Sequence, residues 1–148
     1  IATAMGHMGG NTGMWDEDVG FFSTLDRESN AARQRKSGVD VNTVDNYLLK
    51  VDNDVVVPVD TKVRLLITAG DVLHAWWVPA LAVKKDAVPG FINEAWFNAD
   101  TVGTYRGQCA ELCGMDHGFM PIVVRVVTEE DYETWLNGQR ARVSAVTP

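Results

Sequence analysis

The chain has 148 residues, 46% hydrophobic and 22% charged, with a formal net charge of −7, two cysteines and three histidines. That length suits a single domain with a sizeable core, and no run nears the ~18 consecutive apolar residues of a bilayer-crossing helix. The acidic balance argues against nucleic acid and for a basic partner, although an acidic surface also simply keeps a protein soluble.

Residues 1–18 are rich in glycine and carry Met5, His7, Met8, Met14 and Trp15, a composition expected to hold little regular structure. Residues 21–46 read as a connection rather than core. Within them, 26–36 predicts a short helix closed by Gly38, and Arg33, Arg35 and Lys36 read as a solvated face. Strands are predicted at 47–51 and 55–59, separated by the turn residues Asp52, Asn53 and Asp54. In 63–68, Val63, Leu65 and Ile67 alternate with polar neighbours, as in a half-buried strand.

A strand over 73–78 stops at Pro79, and strands over 91–98 and 102–108 bracket a turn at Ala99 and Asp100. The run 122–127 predicts a buried strand with Ile122, Val124 and Val126 on one face. Thr128 to Asp131 resembles a capping box. Tyr132, Trp135 and Leu136 then give a helix an apolar stripe for core packing, with a frayed tail from Arg140. Many short strands with turn signals at each end predict an all-β sandwich or barrel with a short C-terminal helix. The organisation reads as an N-terminal strand region and connecting insertion (1–46), a β core (47–128) and a C-terminal helix and tail (129–148), all in one domain.

Both cysteines lie in Gly107-Gln-Cys-Ala-Glu-Leu-Cys-Gly-Met-Asp-His-Gly-Phe-Met120. Cys109, Cys113, His117 and Met120 offer thiolate, imidazole and thioether, soft donors that select copper or zinc over magnesium or calcium. A thioether adds little to zinc, so copper is favoured. His74, at the end of an apolar run upstream, is the candidate for a further ligand. Two thiolates can bridge two metal ions, each with one histidine, leaving Met120 and a loop carbonyl for weak positions. A disulfide between Cys109 and Cys113 is the alternative for an exported protein, but His117 and Met120 in register weigh against it.

The pattern Cys-x3-Cys-x3-His-x2-Met, with His74 before Trp76-Trp-Val-Pro79, resembles the dinuclear copper (CuA) domain of cytochrome c oxidase subunit II. The similarity runs over about residues 47–135 and includes Asp86-Ala-Val-Pro-Gly90, Tyr105-Arg-Gly-Gln-Cys109 and His117-Gly-Phe-Met-Pro121. It implies a Greek-key cupredoxin barrel. Its implied ligands for two copper ions are His74, Cys109, Cys113, His117, Met120 and the backbone carbonyl of Glu111. A magnesium ion near the Glu111 side chain is implied only in the intact oxidase.

The resemblance further implies an electron carrier without catalysis of its own, part of an oxidase that reduces oxygen and pumps protons. Cytochrome c would be its donor and oxidase subunit I its acceptor, on the periplasmic face of the bacterial inner membrane. The family's two preceding membrane helices are absent from this chain, which starts at Ile1, so a soluble fragment or processed chain is expected. Trp76 and Trp77 are read as a wall against water, with an electron-carrying role open to one of them.

In the family, an aromatic-rich strand precedes this domain and supplies the electron entry residue; here only Trp15 remains. Segment 1–18 is therefore read as an exchanged strand or cloning remnant, with an accessory copper-capturing loop as the alternative. The rival functions are the copper domain of nitrous-oxide reductase, whose ligand loop has the same spacing, and an engineered copper-binding cupredoxin.

Overall fold

Alternation of apolar and polar residues sets the inner faces of a two-sheet sandwich. The computed structural model describes residues 2–8 and 19–144, with side chains from 23 to 140. One sheet consists of β1 (Ala2–Met8), β2 (Val19–Phe22), β4 (Lys62–Ala69) and β7 (Asn93–Asn98), in the order β2-β1-β4-β7. The other consists of β3 (Val55–Pro58), β5 (His74–Val78), β6 (Val83–Ala87), β8 (Gly103–Cys109) and β9 (Pro121–Val127), in the order β3-β9-β8-β5-β6. Val63, Leu65, Ile67 and Ala69 of β4 point inward and meet Phe97 of β7 and Ile122, Val124 and Val126 of β9 in one core. This is the expected all-β, cupredoxin-type arrangement. No helix among the described residues is long and apolar enough to cross a membrane.

Several local expectations differ from the structure. Residues 2–8 form a strand despite their glycine and methionine content, because β1 adds in parallel to β4 from Ala2 beside Val63 to Met8 beside Ala69. Residues 9–18, with Met14 and Trp15, lie outside the described residues. The predicted strand at 47–51 is instead a turn, with left-handed backbone at Asn46 (φ 49°) and Leu48 (φ 60°) and only Val51 bridging to Leu25. Strand β6 was not predicted: Lys84, Lys85 and Asp86 occupy its middle, and only its ends, Val83 and Ala87, are buried. The C-terminal helix α2 (Glu129–Ser144) continues through Arg140 rather than fraying there. It begins where the Asp131 amide donates to Thr128 Oγ1 (3.2 Å), and Tyr132, Trp135 and Leu136 are half-buried along one stripe.

Segment 23–51 is more than a connection. Val56 and Val123 point away from the main core, yet they are 2% and 5% exposed. The segment contributes buried residues of its own, Ala32, Val44 and Val51. Arg106, opposite Val123 in the β8–β9 register, fastens it by donating to the Leu49 carbonyl and to Asn46 Oδ1. Within it lies the short helix α1 (Arg27–Ala32), N-capped by Asp26, whose carboxylate accepts from the amides of Glu28 (2.9 Å) and Ser29 (3.3 Å).

Candidate metal centre

Two neighbouring strands bring together residues 35 apart in sequence. β5 starts at His74, β8 ends at Cys109, and their antiparallel register places Trp76 opposite Cys109. Opposed residues share a face, and His74 lies two residues from Trp76, so the imidazole and the Cys109 thiol project the same way. His74 Nδ1 stands 3.7 Å from Cys109 Sγ, and both residues are 3% exposed. The strands approach closely because residue 107 is glycine: a Cβ there would lie 2.1 Å from the Trp77 carbonyl oxygen. Gly107 thus serves the strand contact, whereas Gly114 (φ 125°) provides a backbone conformation that other residues rarely adopt.

The loop after Cys109 folds back over the strand ends. Ala110 N donates to the Ala75 carbonyl (3.0 Å), and Cys109 N to the Met120 carbonyl (3.1 Å), closing the loop. A single 3-10 turn over His117–Phe119 is held by His117 N on the Gly114 carbonyl and by Gln108 Nε2 on the His117 carbonyl, each at 3.2 Å. Cys113 Sγ consequently lies 3.9 Å from Cys109 Sγ, 3.5 Å from His117 Nδ1 and 3.5 Å from Met120 Sδ. The Glu111 carbonyl oxygen is 3.4 Å from Cys109 Sγ, while the Glu111 side chain is exposed.

Donor chemistry supports a metal at this convergence. Both cysteines are free, and the ligand atoms of His74, Cys109 and Cys113 lie within 4.8 Å of one another. A metal–thiolate bond is roughly 2.3 Å, so sulfurs 3.9 Å apart can share an ion between them. His74 Nε2 donates to Asp71 Oδ1 (2.8 Å), which leaves the Nδ1 lone pair directed at Cys109. Burial pulls the Asp71 carboxyl upward, but hydrogen bonds from His74 and the Val72 amide outweigh it and lower its pKa. Burial, followed by the charge and hydrogen bond of Cys109, pushes the Cys113 thiol up to about 11.

His74, Cys109, Cys113, His117, Met120 and the Glu111 carbonyl, the set that the resemblance implies as ligands, lie close together in the structure. Trp76, 3% exposed, sits beside Cys109 on the same inner face of the sheet, whereas Trp77 is 41% exposed on the outer face. Trp15 falls outside the described residues, and Met5, His7 and Met8 are described only as backbone of β1. Sequence reasoning missed Asp71, whose signal is its place one helical-turn spacing before His74. It also misread Arg33. Rather than facing solvent, the side chain is 20% exposed, pairs with Asp116 (3.0 Å) and stacks on Phe119. Around the loop, Leu112 and Met115 are 83% and 98% exposed, beside a shallow apolar depression lined by Val72, Leu73, Val88 and Pro89.

Comparison with known proteins places this geometry in context. A family described as "Cytochrome C oxidase subunit II, periplasmic domain" matches residues 10–127. A probable cytochrome c oxidase subunit 2 of Rickettsia prowazekii is 57% identical over 89 residues, covering 60% of this chain. This chain spans only 28% of that relative. The crystal structure of the periplasmic domain of subunit II of cytochrome oxidase from Bradyrhizobium japonicum is similar at a TM-score of 0.68 and 39% identity. That match covers 81% of this chain and 76% of the other. A subunit II of cytochrome c oxidase, solved as a mixed-disulfide intermediate with a thioredoxin-like protein, matches at a TM-score of 0.59 and 45% identity. It covers 68% of this chain and 70% of the other.

Proposed function

The chain belongs to the cytochrome c oxidase subunit II periplasmic-domain family, and from that membership we infer that it is the electron-entry domain of a haem–copper terminal oxidase. On this reading His74, Cys109, Cys113, His117, Met120 and the Glu111 carbonyl would together hold two copper ions. Cytochrome c supplies single electrons and oxidase subunit I receives them, on the periplasmic side of the bacterial inner membrane. The observation that carries the reading is the convergence of two thiols, two imidazole Nδ1 atoms, a thioether and a carbonyl at separations of 3.4–3.9 Å.

When bound, a thiolate-bridged copper pair exchanges one electron spread over both ions, so each bond to a ligand changes little. The chain's own residues serve the same end. Paired strands fix His74 and Cys109, and the carbonyls of Ala75 and Met120 pin the two ends of the loop. Asp71 sets the His74 tautomer. The buried Trp76, paired across from Cys109, walls off water on that side of the site. A scaffold preorganised in this way opposes transfer less than one whose ligands must move.

The exposed Glu111 carboxylate would meet magnesium against a partner subunit in the intact oxidase. The family match favours this function over nitrous-oxide reductase. A thioredoxin-like protein fits an earlier step. An oxidant of an oxidising compartment can take two electrons from Cys109 and Cys113, whose sulfurs lie 3.9 Å apart, and close them as a disulfide. Exchange with a reduced dithiol partner would then return both as thiols and leave the partner as the disulfide. The test is the electron paramagnetic resonance spectrum of the copper-loaded chain, quantified against total copper. One electron shared by two equivalent copper nuclei is expected; a single-copper hyperfine pattern would overturn the dinuclear reading.

A further inference from the structure

His117 and Met120 sit on a loop whose only regular element is a three-residue 3-10 turn, and such turns have poor hydrogen-bond geometry. Two side chains of that loop are held from outside it by the same residue. Arg33 Nη1 donates to Asp116 Oδ1 (3.0 Å), and the guanidinium carbon lies 4.2 Å from the centre of the Phe119 ring. Arg33 Nε donates to Asn30 Oδ1 (2.7 Å), so the planar group is backed on one edge, paired on another and stacked on a face. Asp116 immediately precedes His117, and Phe119 immediately precedes Met120. The grip therefore falls next to two of the ligands carried by the loop rather than by a strand.

Arg33 has something firm to pull against. It caps the C-terminal end of α1, and that helix is tied down along its length. Asp26 N donates to the Lys50 carbonyl (3.1 Å), and the fully buried Ser29 hydroxyl accepts from Leu48 N (3.2 Å). Leu25 bridges Val51, and the 46–49 turn is fastened to β8 by Arg106. A continuous set of contacts thus runs from β8, which carries Cys109, through segment 23–51 to the ligand turn.

We propose that Arg33 is a positioning residue for the metal centre, clamping the turn at Asp116 and Phe119 so that His117 Nδ1 and Met120 Sδ stay directed at Cys113. This rests on the reading of His117 and Met120 as copper ligands. The Asp116 side chain is 69% exposed, and a pair so open to water adds little to folding stability. Its effect is on where the ligands point. Lysine in place of Arg33 keeps the charge but loses the fork and the flat face, so the two residues are not equivalent here.

The test uses the copper-loaded full chain with Arg33→Ala, Arg33→Lys, Asp116→Asn, and Arg35→Ala as an exposed control from the same basic cluster. Read-outs are the rate of copper loss to EDTA, the histidine hyperfine couplings, the reduction potential and thermal unfolding of the metal-free protein. Arg33→Ala should speed copper loss about threefold to tenfold, as expected for losing one cation–π and one charged contact. It should alter the coupling of one histidine while leaving metal-free unfolding near that of the parent. Arg33→Lys and Asp116→Asn should fall between, and Arg35→Ala should match the parent.

Unchanged copper loss, couplings and potential in Arg33→Ala would overturn the proposal. So would a fall in metal-free stability large enough to account for the faster loss, and Asp116→Asn decides the matter if Arg33→Ala does not fold. Failure of the underlying reading looks different: the parent itself would then give a single-copper spectrum.

Discussion

A thiol becomes a copper ligand by giving up its proton, and the surroundings of Cys113 oppose that loss. With the thiol held up to about 11 by burial and by Cys109, the metal-free chain near neutral pH carries Cys113 protonated. Copper must displace that proton, so uptake should release acid and apparent affinity should rise with pH. The sign follows from the raised pKa: lowering the pH adds to the proton's hold, and raising it removes competition. For each proton displaced, one pH unit should change the apparent affinity by about tenfold. Competition with a chelator at about pH 6 and about pH 8, with proton release followed by an indicator, measures both. Affinity that does not vary over this range would mean that the thiolates exist before the metal arrives.

Between elements, the approach of β8 to β5 decides whether the site forms, because each strand delivers one buried ligand. Gly107→Ala should push them apart, since the added Cβ would sit 2.1 Å from the Trp77 carbonyl oxygen and 2.6 Å from Val78 Cγ2. Overpacking of this kind costs about 1–3 kcal/mol, and here it also displaces Cys109 from His74. Thermal unfolding of the metal-free variant and its copper-to-protein ratio should therefore both fall. Unaltered values would show that the strands absorb the methyl group by shifting elsewhere.

The same elements show what the sequence made legible. β4 could be read because one face is buried against the core and its apolar residues repeat at period two, and β9 because it is a near-continuous apolar run buried on both faces. Of the six candidate donors, Cys109, Cys113, His117 and Met120 could be read because they are local and chemically soft, whereas His74 needed the family motif beside that loop and the Glu111 carbonyl came from the resemblance alone. Strand β6 stayed hidden because pairing with β5, rather than burial, makes Lys84, Lys85 and Asp86 a strand. The 47–51 run misled for the opposite reason. Its β-rich residues are held in a turn by Arg106, 57 residues away from Leu49. Arg33 was misread on the same ground, as its partner Asp116 lies 83 residues away. Contacts that long leave no periodic trace, and a basic cluster by itself usually is a solvated face.

At the scale of the whole molecule, charge and apolar exposure divide the work of recognition. A net charge of −7 spreads an attractive field for a basic donor, and such fields act on encounter rates more than on the final contact. At the ligand loop, the exposed Leu112 and Met115 lie among Glu111, Asp116 and the 57%-exposed Asp71. An exposed apolar tip on an acidic chain favours a partner that arrives by charge and is held by burial. Electron transfer from a basic cytochrome c to the copper-loaded chain should therefore slow as salt rises from about 0.01 M to about 0.15 M, as the Debye length shrinks from ~30 Å to ~8 Å. Met115→Ser should leave that salt slope unchanged while lowering the rate at every salt concentration, because it removes contact area and no charge. Stopped-flow rates across the salt series separate the two effects. A rate insensitive to salt would assign recognition to the apolar tip alone, and a Met115→Ser variant as fast as the parent would place the docking surface elsewhere on the sandwich.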